Sequence, residues 1–179
     1  IGFKKIGENC KISNLIRGYN LDCTLGDNVR IDDDVVLKGK INIKSNVHIA
    51  RGCTLSGGEK GIFLDNFSTL SNFCQLFTKS DDYFLPGVSG GTLNENKRKK
   101  FCKIHNKKIK IGKSVIVGTF SVILPGVDMG DFSSAGAFTL ITKKIKTGYF
   151  YSNLETKNIK LKKRDLIKLN NIYKKAIHN

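Results

Sequence analysis

The chain has 179 residues, 40% hydrophobic and 26% charged, with a formal net charge of +16. That length carries one domain with a continuous core and excludes two comfortable ones. No apolar run reaches the roughly 18 residues that span a bilayer, and the opening stretch IGFKKIGENC has neither the apolar segment nor the small-residue cleavage site of a signal peptide. Cysteines at positions 10, 23, 53, 74 and 102 are odd in number and form no C-x-x-C pair, which argues against a disulfide framework or a zinc ribbon. A soluble protein of the reducing cytoplasm is the expectation.

From the N-terminus, an aliphatic residue followed by a small or polar one recurs every six positions: Ile6-Gly7, Ile12-Ser13, Leu25-Gly26, Ile31-Asp32, Leu37-Lys38, Ile43-Lys44, Ile49-Ala50 and Leu55-Ser56. After a slip of three residues the pattern resumes at Leu64-Asp65, Leu70-Ser71 and Leu76. Four residues after most of these aliphatics stands a small or β-branched one, such as Val29, Val35, Val47, Cys53, Ser68 and Cys74. Two inward positions per hexad suit a short strand ending in a tight corner, and three such strands per turn make a triangular prism of stacked parallel coils. Cys10, Cys53 and Cys74 fall in the small inward register and read as corner filler.

Residues 77–110 interrupt the pattern. They open with FTKSDDYFLPG and end in KRKKFCKIHNKKIK, which holds eight Lys or Arg and no acid. Residues 143–179 hold eleven more against Glu155 and Asp165, so the remainder of the chain is close to neutral. Charge confined to one loop and one tail points to local anionic ligands such as phosphates or a membrane surface, rather than to a groove that tracks a nucleic-acid backbone. Phe101 is the only aromatic residue within 97–110, and nucleic-acid binding through stacked bases needs aromatics interleaved with the cations.

The hexads return at Ile111-Gly112, Val117-Gly118, Ile123-Leu124, Met129-Gly130, Ala135-Gly136 and Ile141-Thr142. The prism is thus expected over 1–147, with an inserted loop at 77–110, followed by an extension over 148–179. In KRDLIKLNNIYKKAIHN, the spacing of Leu166, Leu169, Ile172 or Tyr173, and Ala176 predicts a short amphipathic helix. Its apolar face suits packing on its own or a neighbouring subunit; peripheral membrane contact through the basic tail is the alternative.

The stretch IGKSVIVGTFSVILPGVDMGDFSSAGAFTLITKKI, residues 111–145, with its Ile-Leu-Pro-Gly-Val step and closing Thr-Lys, resembles the last coils of the hexapeptide-repeat acyltransferases, most closely bacterial sugar O-acetyltransferases. The resemblance covers roughly residues 1–147. It implies an all-β fold, a single-stranded left-handed parallel β-helix, and a handedness that periodicity cannot supply. It implies transfer of an acetyl group from acetyl-CoA to a hydroxyl or amine of a sugar or sugar nucleotide, in cell-surface polysaccharide or lipopolysaccharide biosynthesis. It also implies a homotrimer, while the confined charge and sparse aromatics speak against a nucleic-acid partner and the three scattered histidines against a metal.

Such transfer needs a base for the nucleophile's proton and donors for the oxyanion. The family generally uses a histidine, often on the loop leaving the prism, where this chain reads FTKSDDYF instead. Some members pair a coil written His-Ile-Ala with a downstream Ser-Asp-Asp-Tyr, which here are His48-Ile49-Ala50 and Ser80-Asp81-Asp82-Tyr83. The resemblance therefore points to His48 as base, with Asp82 orienting it, Asp81 as the second catalytic carboxylate, and Ser80, Tyr83 and the adjoining Lys79 binding the acceptor. His105, amid lysines, is the alternative base, and His178 stands next to the C-terminus.

His48 falls at the corner between two faces while the loop leaves from the third. A face is roughly 15 Å wide at about 3.3 Å per residue, so the two elements are expected to meet only between packed prisms. Coenzyme A is expected along the C-terminal coils, with its arm beside Gly118, Gly136 and Ala137 and its phosphates at Lys143 and Lys144. Two other readings fit the sequence less well. A zinc carbonic anhydrase of this fold needs three convergent histidines, and His48, His105 and His178 lack the spacing. A non-catalytic β-helix scaffold or binding module fits the repeat alone, but leaves the long interruption unexplained.

Overall fold

The computed structural model describes residues 2–82, 91–153 and 166–178. It is a left-handed parallel β-solenoid of about seven turns with a short C-terminal helix; the stacked coils are those the hexads predict, and the hand is the one the resemblance implies. One face of the prism is a parallel ladder of seven strands, Lys11–Ile12, Arg30–Ile31, His48–Ile49, Thr69–Leu70, Ile116–Val117, Ser134–Ala135 and Phe150–Tyr151. The ladder runs past residue 147, so the last strand belongs to the solenoid rather than to the extension.

The second and third faces share one sheet, because Arg17–Leu25, Val36–Ile43 and Thr54–Leu64 run unbroken around the corner between them. In later coils that corner divides the strands: Gln75–Phe77, Val122–Ile123 and Leu140–Ile141 lie on the second face, and Ile109–Ile111 and Asp128–Met129 on the third.

The sequence builds this shape through its inward columns. Ile31, Ile49, Leu70 and Val117 stack behind the first face, and Leu37, Leu55, Leu76 and Ile123 behind the second, all fully buried. The four-residue offset fills the corners with small groups: Val35, Cys53, Cys74, Ser121 and Thr139 form one corner column. There the Cys53 thiol donates to Ser71 O at 3.1 Å and the Cys74 thiol to Gly118 O at 3.3 Å. Burial, with the neighbouring Asp22 charge adding to it, pushes the Cys23 thiol up to about 12. These thiols are packing groups, consistent with the corner-filling expectation.

The outer turns carry a feature that the hexads do not announce. Phe67, Phe73, Phe120, Phe132 and Phe138 all have φ between 54° and 60°, a left-handed conformation that bulky residues rarely adopt. Phe73, Phe120 and Phe138 stack with centroids 5.0 and 5.1 Å apart, which offsets part of that strain. Phe67 and Phe132 instead hold Tyr173 of the C-terminal helix (Leu166–His178) in edge contacts at 5.2 and 5.9 Å. Leu166 closes over Gly148, where a Cβ would sit 2.4 Å from its Cδ2. The helix therefore docks on its own solenoid through Leu166 and Tyr173, while Ile172 remains 55% exposed.

Truncating an inward aliphatic removes contacts from the coils on both sides as well as its own buried surface. Leu55→Ala is expected to cost about 2–5 kcal/mol, read as a lower urea midpoint at unchanged slope.

Candidate active site

Two histidine–aspartate pairs stand on opposite parts of the prism. The first is on the seven-stranded face, where His48 lies between Arg30 and Thr69 in register. His48 Nε2 is 2.9 Å from Asp32 Oδ2, and Arg30 Nε donates to Asp32 Oδ1 at 2.7 Å. Desolvation raises the Asp32 carboxyl's affinity for its proton, but the hydrogen bonds and charges of His48 and Arg30 outweigh it and hold its pKa below the usual carboxylate value. A carboxylate only accepts, so Nε2 carries the proton and Nδ1 is the basic atom of neutral His48.

Asp32 is the functional candidate that reading along the chain missed. It is 16 residues from His48, and the signal was in the register: a hexad residue just after an inward Ile stacks beside the next coil's histidine. The same column continues through Ala50, Ser71, Gly118 and Gly136, each following its paired strand.

The second pair is on the insertion. Lys79–Asp81 and Ile104–Asn106 form an antiparallel hairpin in which Ser80 opposes His105 and Lys79 opposes Asn106. His105 Nε2 is 3.1 Å from Asp82 Oδ2, and the Asp82 side chain is only 8% exposed. Alternation along the strand sends Asp81 and Asp82 to opposite sides of the hairpin. Asp82, with Ser80, takes the His105 side, and Asp81 shares the side of Lys79. Within one chain, then, Asp82 meets His105 and His48 meets Asp32. Between the two hairpin strands the chain forms a short helix, Glu95–Phe101, capped by the Asn94 side chain, which accepts from Lys97 N at 3.0 Å. Tyr83 lies outside the described residues.

Towards the C-terminal end, Gly118 is dictated by the stacking, since a Cβ there would lie 2.4 Å from Ala137 N. Gly136 is looser; its nearest neighbours would be the Phe150 ring and the Ser152 side chain at 3.3 Å. Lys143 and Lys144 are both exposed and line a cavity of about 230 Å³ with Ile145, Lys146, Tyr149 and Tyr151. Lys143 Nζ sits 5.6 Å from the Tyr151 ring centroid, and Lys144 Nζ is 3.6 Å from Asp128 Oδ2. Among the described residues no cluster of His, Cys, Asp and Glu suits a metal ion, and no helix is long and apolar enough to cross a membrane.

A hexapeptide solenoid with a polar insertion and outward histidine–carboxylate pairs defines a class of acyl-transfer proteins, and the comparisons agree. No protein-family model matches the sequence. The chain is 28% identical over 179 residues to the dTDP-4-amino-4,6-dideoxy-D-glucose acyltransferase of Escherichia coli, spanning 97% of this chain and 90% of that one. AntD, an N-acyltransferase from Bacillus cereus solved with dTDP and 3-hydroxybutyryl-CoA, is 31% identical with a TM-score of 0.86, covering 99% of this chain and 93% of that one. A variant of AntD bound to dTDP-4-amino-4,6-dideoxyglucose and coenzyme A is 32% identical with a TM-score of 0.86, covering 98% and 92%. The acetyltransferase domain of PglB from Neisseria gonorrhoeae, at 15% identity and a TM-score of 0.59 over 80% of this chain and 54% of that one, shares the fold. The chain belongs to the hexapeptide-repeat sugar acyltransferases. The acyl-CoA donor expected from the sequence is the kind of thioester with which AntD was solved.

Because the Asp32 carboxyl titrates lower in the fold than in the unfolded chain, where it lies near about 3.9, its pairing stabilises the protein above that pH. The contribution is lost as pH falls through the lower, folded value. Thermal melts of wild type and Asp32→Asn should therefore differ at neutral pH and converge as the pH falls below about 4.

Proposed function

We propose that this protein transfers an acyl group from an acyl-CoA to the amino group of a dTDP-linked 4-amino-4,6-dideoxy sugar, at sites assembled between the subunits of a homotrimer. The observation that carries this reading is likeness over nearly the whole chain, insertion included, to a dTDP-amino-sugar acyltransferase and to AntD. The sequence slightly favoured a hydroxyl acceptor; the relatives' acceptor chemistry favours the amine. An N-acylated nucleotide sugar suits later glycosyl transfer into a cell-surface polysaccharide.

The chemistry assigns roles to both parts of the site. An amine attacks only after the ammonium has lost a proton; its lone pair then forms the C–N bond, the thioester C–S bond breaks, and a second proton leaves nitrogen as the departing thiolate is protonated, giving amide and thiol. His48 Nδ1, left free to accept by the contact of Nε2 with Asp32, takes the first proton in this reading. Asp81 orients the amine from a neighbouring subunit's hairpin.

The variants of AntD supply a second support. They substitute one serine and one aspartate ten positions apart, and Ser71 and Asp81 reproduce that pair and separation in this chain. Ser121 and Asp131 do so too, but near-complete coverage of both chains leaves no room for so large an offset. Ser71 lies on the His48 face one coil on, whereas Asp81 lies on the hairpin at the opposite corner, so neighbouring subunits would be needed to join them. Lys143 and Lys144 would meet the coenzyme A phosphates as exposed charges.

The direct test is release of free thiol from acetyl-CoA in the presence of dTDP-4-amino-4,6-dideoxyglucose, against the 4-hydroxy sugar as control; turnover with the hydroxyl sugar alone would overturn the amine reading. His48→Ala is expected to lower turnover by about 100-fold or more with little change in acyl-CoA affinity. Full activity in His48→Ala beside a dead Asp81→Asn would make Asp81 the base. Replacing Lys143 and Lys144 with alanine should raise KM for acyl-CoA more than it lowers kcat.

A further inference from the structure

The corner between the second and third faces is where the stacking repeatedly admits extra residues. The ladder skips between Tyr19 and Asp22, and between Gly39 and Ile41, opposite Gly58 and Ile62. Asn20, Gly39 and Gly58 there have φ of 45°, 72° and 49°. At Gly39 no other residue fits, since a Cβ would lie 2.7 Å from Gly58 N. Residues left out of a ladder turn their backbone groups outward. Against these bulges folds the foot of the hairpin, and together they enclose a cavity of about 300 Å³ lined by Asn20, Lys38, Gly39, Gly58, Glu59, Lys79 and Asn106.

The cations of this cavity are exposed, and the Lys79 charge also reaches Glu95, whose carboxyl is held below its usual value first by Lys99 and in smaller part by Lys79. Some lysines are paired with carboxylates, as Lys44 is with Asp65 at 3.2 Å and Lys4 with Asp22 at 2.8 Å. Lys38 and Lys79 make no ion pair among the described residues. Glu59 is the only acid in the lining, and Lys60 follows it directly in the chain. Two lysines and two asparagines line this one recess, and their ammonium and amide groups are a donor set suited to a multiply charged oxyanion.

Its position gives that anion a role. Lys79 and Asp81 lie on the same side of the hairpin, two residues or about 7 Å apart along the strand. In a 4-amino hexose linked through its anomeric oxygen, the amine and the phosphate occupy opposite ends of the pyranose ring, a span of the same order. We infer that this recess, through Lys38, Lys79, Asn20 and Asn106, binds the diphosphate of the nucleotide-sugar acceptor and so presents the sugar amine at Asp81. The inference rests on the acceptor proposed above.

Isothermal titration of the full chain with dTDP tests it without turnover. Lys38→Ala and Lys79→Ala should each weaken dTDP binding by about 10-fold, the scale of one lost charge-assisted hydrogen bond. The double variant should lose more, and added salt should narrow the differences. Lys113→Ala, on another corner and 4.0 Å from Asp131, should bind like wild type. Thermal melts of the variants should match wild type, since both lysines are exposed. If wild type binds dTDP and both lysine variants bind it equally well, the recess is overturned while the acceptor reading stands. If wild type does not bind dTDP, the acceptor reading falls and takes this inference with it.

Discussion

The coil-on-coil stacking of inward aliphatic side chains is the constraint on which the rest of this structure depends. Each buried Ile, Leu or Val contributes on the order of 1.5–3 kcal/mol relative to exposure. It does so only if it sits over its counterpart in the coil below, so the register of every coil is set by its neighbours. Outward residues inherit that register without contributing to it. Arg30, Asp32 and His48 come together because Ile31 and Ile49 must stack. In the same way Ala50, Ser71, Gly118 and Gly136 form one continuous column.

One corner escapes the constraint. Extra residues between the second and third faces bulge away from the core and leave the inward columns intact, as Ile41, Ile62 and Ile109 show by remaining fully buried across the bulges and the long insertion. The fold can therefore carry polar groups there without loss of packing. This is also why the hairpin with Asp81, Asp82 and His105 stands apart from the His48 face, and why the proposed chemistry calls for more than one subunit. Repeats contribute surface, and insertions contribute the variation on it.

The aromatic turns add a second kind of order. Left-handed phenylalanines are strained wherever they occur, yet here they fall into two columns with different uses. Phe73, Phe120 and Phe138 stack on one another along a corner, while Phe67 and Phe132 leave a gap that Tyr173 enters. Local backbone cost is offset by contacts between residues dozens of positions apart, and the terminal helix gains a fixed seat on the solenoid.

The sequence by itself determined the repeat, the prism, the position of the insertion and the presence of the terminal helix, because a period of six along the coils, its break at the insertion and the helical spacing of the tail are all local patterns. It also singled out His48, the two adjacent carboxylates and the lysines, since residue type is legible wherever it occurs. The partners were decided by tertiary structure. Asp32 for His48, His105 for Asp82, Tyr173 rather than Ile172 facing the solenoid, and the meeting of Lys38 with Lys79 all join residues from different coils or from across the insertion. Which outward groups touch depends on how many residues each corner admits between stacked positions. The hexads do not encode that number, and only the packed coils show it.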